Sequence, residues 1–152
     1  PYADQADLAL ARAAVELNDL DEAARLLDGV ANRSKDAELR LVAQTRLARV
    51  LIAQGKQDAA LALLEPAKSG AFAGLVHDIR GDALLAKGDA AGARAEYDAA
   101  LTAAGPDSGV DREYLELKRD AIAASAATDG VAGPAGQPAP AQAPATTEVP
   151  AK

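Results

Sequence analysis

The sequence has 152 residues and a formal net charge of −7 at neutral pH, and 41 of its residues are alanine. It contains four aromatic residues and no Cys, Met or Trp. This composition argues against a β-sandwich or barrel, which needs β-branched and aromatic side chains, and favours helices, in which Ala costs least. The acidic charge disfavours nucleic-acid binding, and the lack of Cys excludes disulfides and thiolate zinc sites.

The apolar residues do not form a long uninterrupted run. The sequence therefore predicts neither a membrane-spanning helix nor a signal peptide, and no membrane contact by this part of the protein itself. It starts at Pro1 and contains no Met. We accordingly expect a processed or excised piece of a longer protein, with room for an anchor upstream.

Three turn motifs divide the first 125 residues into helical hairpins. In chain order they are Leu17-Asn18-Asp19-Leu20, Gln54-Gly55-Lys56-Gln57 and Lys87-Gly88-Asp89-Ala90. Asn18 and Gly55 are 37 residues apart, and Gly55 and Gly88 are 33 residues apart. These spacings bracket the 34-residue period of tetratricopeptide repeats. Gly and Asn suit the left-handed backbone that often ends a helix.

Aligning the three turns gives four columns of similar residues. Small residues stand seven positions before the turn and five after it, and packing residues stand nine and twelve after it. The columns are Ala11, Ala48 and Gly81; Ala23, Ala60 and Ala93; Leu27, Leu64 and Tyr97; and Val30, Ala67 and Ala100. We expect the small residues to lie where two helices touch, and the large ones to fill the gap to the next repeat.

The residues after each turn differ as helix starts. Asp19 and Glu22 predict a capping box, and Asp89 predicts a simple N-cap. Lys56 is a poor cap, so the second helix of the middle hairpin is expected to start raggedly.

A seventh helix is predicted over Asp111–Ser125, with Tyr114, Leu115, Lys118 and Ile122 on one side, where it would cap the open end of the stack. Residues 126–152 hold five of the eight prolines and few large aliphatic side chains, which predicts a disordered spacer or tail. The predicted fold is all-α: a tetratricopeptide-like α-solenoid of three hairpins plus a capping helix in residues 1–125, and a Pro/Ala-rich tail in 126–152.

The sequence offers no recognisable reactive site. His77 is the only imidazole, and with no second His or Cys nearby we expect a surface or packing role. Acidic residues fall at helix starts or on helix faces, where capping and solvation explain them. The Arg80-Gly81-Asp82 tripeptide lies within a predicted helix, with Gly81 at a helix contact. We therefore predict a protein that is not an enzyme, with no catalytic residue, cofactor or metal.

The first helix of each hairpin should line a concave face suited to an extended segment or a partner helix. Helical spacing from the turns places these residues on that face: Gln5, Leu8, Arg12, Val42, Thr45, Arg49, Ile52, Leu75, Asp78, Asp82 and Leu85. Arg49 and Asp82 hold equivalent positions in adjacent repeats, and their role stays open between partner binding and pairing with each other. The face lacks the Lys and Asn pattern that clamps a peptide carboxylate.

Two stretches carry a resemblance to a known family. Leu39–Leu64 includes Arg46-Leu47-Ala48-Arg49 and the Gly55 turn, and Phe72–Leu101 includes Arg80-Gly81-Asp82 and the Gly88-Asp89 turn. Both resemble the ancillary subunit of the SecYEG translocon, the YfgM family. The likeness covers most of residues 1–125 and none of the tail.

The resemblance implies more than the residues do. It implies repeats on the periplasmic side of the bacterial inner membrane, anchored by an upstream transmembrane helix that this chain lacks. The implied partners are SecYEG and a PpiD-like periplasmic chaperone, which would together assist translocating proteins. The alternatives are a generic repeat scaffold for another envelope or cytoplasmic complex, and an enzyme completed by a separate catalytic domain.

Overall fold

The computed structural model describes residues 2–65, 69–105 and 110–129, with side chains up to Ser125. These residues form α-helices and one short 3-10 turn, and none of them is in a β-strand. The helices are α1 (Tyr2–Glu16), α2 (Leu20–Arg33), α3 (Ala37–Ala53), α4 (Gln57–Leu63), α5 (Ala73–Ala86), α6 (Ala90–Ala103) and α7 (Arg112–Asp129), and the 3-10 turn is Gly70–Phe72. The all-α prediction is confirmed.

The helices pack as successive antiparallel hairpins. The partners are α1 with α2, α3 with α4, and α5 with α6, while α2 also packs on α3, and α4 on α5. The first helices of the hairpins adjoin one another in the order α1, α3, α5. This arrangement is the predicted solenoid, and it brings the first helices together on one side.

All three predicted turns adopt the same backbone geometry. Asn18, Gly55 and Gly88 have φ values of 59°, 75° and 85°. The N–H after each turn residue donates back to a carbonyl of the preceding helix: Asp19 to Ala14, Lys56 to Leu51 and Asp89 to Leu84, at 2.8 to 2.9 Å. Such bonds satisfy carbonyls that a helix end leaves open. Asn or Gly therefore recurs at these turns because each turn needs a residue that tolerates positive φ.

The small-residue columns lie at the helix contacts. Ala23, Ala60 and Ala93 have no exposed surface, and Ala11 and Ala48 have at most 1%. The column of large residues is also buried, as are Val30 and Ala100, whereas Ala67 lies outside the described residues. The predicted role of these positions in packing is confirmed.

Two of the three second helices start with a side-chain cap. Asp19 accepts a hydrogen bond from the Glu22 N–H at 3.2 Å, and Asp89 accepts one from the Gly92 N–H at 2.8 Å. The predicted capping box is half formed, because the Glu22 carboxylate bonds Arg25 on the next turn instead of reaching back. Lys56 makes no side-chain cap, as predicted.

We predict that Lys56→Asp stabilises the fold by about 1 kcal/mol. The Lys56 backbone (φ −103°, ψ 54°) is close to that of Asp19 (φ −87°, ψ 75°), so an aspartate there would reach the Ala59 N–H. Its negative charge also suits a helix N-terminus. Chemical denaturation should show a higher free energy of unfolding for Lys56→Asp. Lys56→Ala is the matched control, and equal effects of the two variants would contradict the capping argument.

The seventh helix lies where a capping helix was predicted. Asp111 caps it by accepting from the Tyr114 N–H at 3.1 Å. Leu115 is buried in a cluster with Tyr97 and Leu101 of α6, and Ile122 packs beside them. The helix continues to Asp129, four residues past the predicted end at Ser125. Most of the predicted tail, residues 130–152, lies outside the described residues. None of the described helices combines the length and apolarity needed to cross a membrane.

Candidate protein-binding groove

A groove of about 350 Å³ opens between α1 and α3, with α2 beneath it. We call it the arginine-rimmed groove. Its lining residues are Ala11, Arg12, Val15, Leu20, Leu27, Arg46, Arg49, Val50 and Ala53. It forms because α1 and α3 contact each other little, while α2 packs closely on both and closes the bottom.

The groove has an apolar floor and a basic rim. Ala11, Leu27 and Val50 are buried and form the floor. The side chains of Arg12 and Arg49 are 79% and 57% exposed, and Arg46 is also exposed. No Asp or Glu is among the lining residues. The exposed lining residues Val15 and Ala53 add apolar surface beside this floor, so an apolar surface bordered by cations is open to solvent on the side of the first helices.

The three rim arginines differ in how far their charges are satisfied. The Arg12 Nε lies 3.0 Å from the Glu16 Oε1, one turn along the same exposed helix face. The Arg49 Nη2 lies 3.8 Å from the Asp78 Oδ2. Arg46 makes no ion pair with any residue that the structure describes. The rim thus keeps at least one uncompensated positive charge.

A second polar group ties α7 to the third hairpin. The Lys118 Nζ donates to the Asp78 Oδ1 at 2.8 Å and to the Asp82 Oδ1 at 2.7 Å. The same Asp82 oxygen accepts from the Tyr97 hydroxyl at 2.7 Å. The ammonium also lies 5.4 Å from the ring centre of Tyr97 and 5.1 Å from that of Tyr114, within cation–π range. We call these five residues the Lys118 cluster.

The cluster changes the ionisation of its members. Burial by itself would lower the pKa of Lys118, but hydrogen bonds to Asp78 and Asp82 outweigh it and raise that pKa. Burial, reinforced by the Asp82 carboxylate, raises the pKa of Tyr97. Both groups are therefore held in the forms that bind Asp82: Lys118 charged and Tyr97 protonated.

We predict that Lys118→Met lowers the free energy of unfolding by about 1.5 kcal/mol, as is typical for lost hydrogen bonds to charged groups. The folded pKa of Lys118 is raised, so its contribution is complete below the unfolded pKa and is lost as pH rises above 10.5. The difference between wild type and Lys118→Met should therefore narrow at alkaline pH, as measured by denaturant titration.

Arg25→Met is the control for the Lys118 prediction. It removes an ion pair between the solvent-accessible side chains of Arg25 and Glu22, and exposed pairs of this kind contribute little to stability. If the two variants lose the same free energy of unfolding, burial does not strengthen the ion pairs of Lys118, and the prediction is contradicted.

The structure distributes the predicted concave-face residues over three environments. Arg12 and Arg49 line the arginine-rimmed groove, and Arg49 also borders a cavity of about 320 Å³ that is lined by Leu75, Asp78 and Asp82. Val42 and Ile52 are half-buried against the core clusters. Gln5 and Leu85 are exposed. That these residues bind a partner stays a prediction.

Two of the predicted residues lie inside the fold. Leu8 belongs to the first core cluster. Thr45 is buried, and its hydroxyl donates to the Val42 carbonyl at 2.9 Å. The structure corrects their placement: both side chains are buried, so neither is open to a partner.

The possible Arg49–Asp82 pair is also corrected. Among the described residues Arg49 pairs with Asp78. Asp82 is instead held by Lys118 and the Tyr97 hydroxyl. The two carboxylates are one turn apart on α5, and α7 supplies a cation that takes the position facing Asp82.

The sequence reasoning missed several groove residues. Arg46 precedes Arg49 by three positions, which places both on the same side of α3 one turn apart. Val15 stands in the same relation to Arg12 on α1. The sequence spacing thus places these residues on shared helix faces. Only the packing of α1 and α3 shows that the two faces border an opening.

The described residues contain no group of three or more metal-ligating side chains.

His77 and Arg80 of α5 share one carboxylate of α6. The His77 Nδ1 lies 2.7 Å from the Glu96 Oε2, and Arg80 donates to the other oxygen of the same carboxylate at 2.9 Å. Arg80 also donates to the carbonyls of Leu61 and Leu64. These contacts join α5 to α6 and to the end of α4, as a packing role for His77 requires. Gly81 is buried within α5 against Tyr97, as predicted.

Residues 1–124 match the family described as tetratricopeptide repeat-like domain. The chain is 43% identical over 101 residues to a protein of Escherichia coli K12 named ancillary SecYEG translocon subunit, over 66% of this chain and 48% of that protein. It is 35% identical over 118 residues to the Neisseria gonorrhoeae protein of the same name, over 78% and 56% of the two chains.

The chain spans about half the length of these curated relatives. No solved structure matches it significantly. The resemblance seen in the sequence is confirmed, since both relatives carry the name of the family to which the two stretches pointed.

Proposed function

The chain belongs to the tetratricopeptide repeat-like family, and from that membership we propose that it is a non-catalytic protein-interaction module acting at the SecYEG translocon. The observation that carries the proposal is the 43% identity to a protein named ancillary SecYEG translocon subunit. Repeats of this kind stack into curved surfaces that bind other proteins. Because a fold alone does not determine function, the proposal also needs a surface on the molecule that is suited to binding a protein.

The arginine-rimmed groove supports a binding role. It combines a buried apolar floor with exposed cations, the arrangement by which a groove takes an apolar side chain and orients it by charge. In the Lys118 cluster the ionisable groups bond one another, which suits a structural tie between helices. Among the described residues the groove is lined by no nucleophile, and in the Lys118 cluster the raised pKa values of Lys118 and Tyr97 keep both groups protonated, whereas covalent catalysis needs an activated nucleophile.

The finer proposal concerns partners and place. We propose that the module holds a PpiD-like chaperone near the translocon, on the periplasmic side of the inner membrane, and that an upstream transmembrane helix anchors it there. The resemblance of Leu39–Leu64 and Phe72–Leu101 to the translocon subunit family supports this. The module would thereby assist proteins as they leave the channel.

Co-purification tests the proposal. The full-length protein with its natural flanking sequence should be tagged, extracted from membranes with a mild detergent, and isolated with its bound proteins. Quantitative mass spectrometry should find SecYEG and the chaperone enriched over an untagged strain. Recovery of SecYEG alone would remove the chaperone part of the proposal. Recovery of neither would contradict the translocon role and favour a scaffold for another complex.

The non-catalytic part has its own test. The purified chain should be incubated with peptide, ester and prolyl-peptide substrates, and product formation should be followed at increasing protein concentration. We expect rates equal to those of buffer. Turnover that scales with protein concentration and survives further purification would contradict it.

A further inference from the structure

We propose that the arginine-rimmed groove binds an acidic segment of a partner protein, in which one bulky apolar side chain is flanked by Asp or Glu residues. This inference deepens the proposed function, on which it rests, by naming the chemistry of what the module binds. The apolar side chain would lie on the floor formed by Ala11, Leu27 and Val50, and the flanking carboxylates would meet the arginines at the rim.

The charge of the groove lining differs from that of the chain as a whole. The chain as a whole has 23 acidic and 16 basic residues, yet the groove is lined by three arginines and no carboxylate. Glu16 and Asp78, outside the lining, partly compensate Arg12 and Arg49, but the Arg46 charge is not compensated among the described residues. The rim therefore keeps a positive charge that attracts acidic segments. Arginine also binds carboxylates through paired N–H donors, which sets their orientation.

The shape of the groove limits the occupant. Its volume of about 350 Å³ is at the low end of the range for ligand sites, which suits one or two side chains better than a large cofactor. Half-exposed Val15 extends the apolar floor towards the turn after α1. A segment lying along the groove would cover this surface and bring its charged residues to both walls.

The cavity beside the third hairpin does not compete for such a segment. Asp78 and Asp82 line it and are held by Lys118. Asp111 adds another carboxylate to the lining. An acidic segment would meet like charges there and would have to displace internal ion pairs. This cavity therefore lacks the open positive rim of the arginine-rimmed groove.

Selection from a random peptide library displayed on phage tests the inference without assuming a partner. The immobilised 152-residue chain is the target, and Arg46→Glu is used for counter-selection. Arg46 is exposed and unpaired among the described residues, so its replacement leaves the core intact, and circular dichroism checks this. We expect the enriched peptides to be acidic and to share a Leu, Ile, Phe or similar side chain between the acidic positions.

Affinity measurements complete the test. An enriched peptide, labelled with fluorescein, should bind wild type with an affinity that falls as salt is added. Arg46→Glu should weaken binding by about tenfold or more, and Arg46→Gln by less. Arg94→Glu is the matched control, because it makes the same charge change at an exposed site on α6. It should leave binding within about twofold.

Several results would overturn the inference: enrichment of basic or neutral peptides, no enrichment at all, or equal effects of Arg46→Glu and Arg94→Glu. Failure here is separable from failure of the proposed function. If SecYEG co-purifies with wild type and with Arg46→Glu alike, while no acidic peptide binds, the translocon role stands and the groove assignment falls. If acidic peptides bind but SecYEG does not co-purify, the reverse holds.

Discussion

Replacing Tyr97 by Ala should lower the free energy of unfolding by about 3–5 kcal/mol, the range for removing a large aromatic side chain from a core. Tyr97 is the largest fully buried side chain among the described residues. Its ring packs in the cluster that joins α6 to α7, and its hydroxyl donates to Asp82. The substitution removes both, so α7 should lose much of its attachment. Urea denaturation followed by circular dichroism measures the change.

Tyr97→Phe is the control that separates ring from hydroxyl. It keeps the ring, and Asp82 retains its bond from Lys118. The expected cost is about 1 kcal/mol, as for one hydrogen bond. Equal losses for Tyr97→Ala and Tyr97→Phe would contradict the view that the ring holds the third hairpin to α7.

The second large effect is expected at Gly81, where even a methyl group should be destabilising. A Cβ at this position would lie 2.3 Å from the Tyr97 Cε1 and 2.6 Å from its Cδ1. Because the ring is completely enclosed, it has no free space to move into, and overpacking of this kind costs roughly 1–3 kcal/mol. The clash should outweigh the gain of about 1 kcal/mol that Ala brings to a helix interior. Thermal unfolding of Gly81→Ala should show a lower midpoint.

Gly29 offers the matched control for Gly81. It also lies inside a helix, but a Cβ there meets only the far end of the Arg33 side chain, at 3.3 Å. That guanidinium, which pairs with Asp4 and Asp7, has to move only a few tenths of an ångström. Gly29→Ala should therefore raise the unfolding midpoint through the higher helix propensity of Ala. A stabilising Gly81→Ala would show that α5 and α6 are not held in close contact at this point.

The repeat geometry was predictable because it depends on local chemistry and on regular spacing. Asn18, Gly55 and Gly88 mark the turns by their tolerance of positive φ, and residues at fixed offsets from them must meet the neighbouring helix. The weak start of α4 followed from Lys56 alone. Its end at Leu63 agrees with a proline three residues later in the sequence, since a proline disfavours helix in the residue before it.

The pairing at the C-terminal end was not predictable in the same way. Lys118 is 40 residues from Asp78 and 36 from Asp82, and which of its neighbours it meets depends on how α7 is rotated about its own axis. The same reason explains why Asp82, and not Asp78, was considered as a possible ion-pair partner of Arg49. Helical spacing predicts which residues share a helix face. Which of two residues one turn apart meets a given partner depends on how several helices pack together.

The groove was predicted only as part of a broad face. Arg12 and Arg49, predicted on the concave face, line the groove, whereas Arg46 was not among the predicted residues, and Leu8 and Thr45 are buried. Residues that share one helix face can still differ in burial, and the sequence does not say which of them contact the next helix and which contact water. The gap between α1 and α3 decides this.

The central claim is that the recurring small residues are places where neighbouring helices touch. Ala60 and Ala62 test it within one helix, since Ala60 is fully buried and Ala62 is exposed. The measurement is the free energy of unfolding of Ala60→Leu and Ala62→Leu. We expect a loss of roughly 1–3 kcal/mol for Ala60→Leu, from overpacking, and almost no change for Ala62→Leu. Equal, small effects in both variants would contradict it.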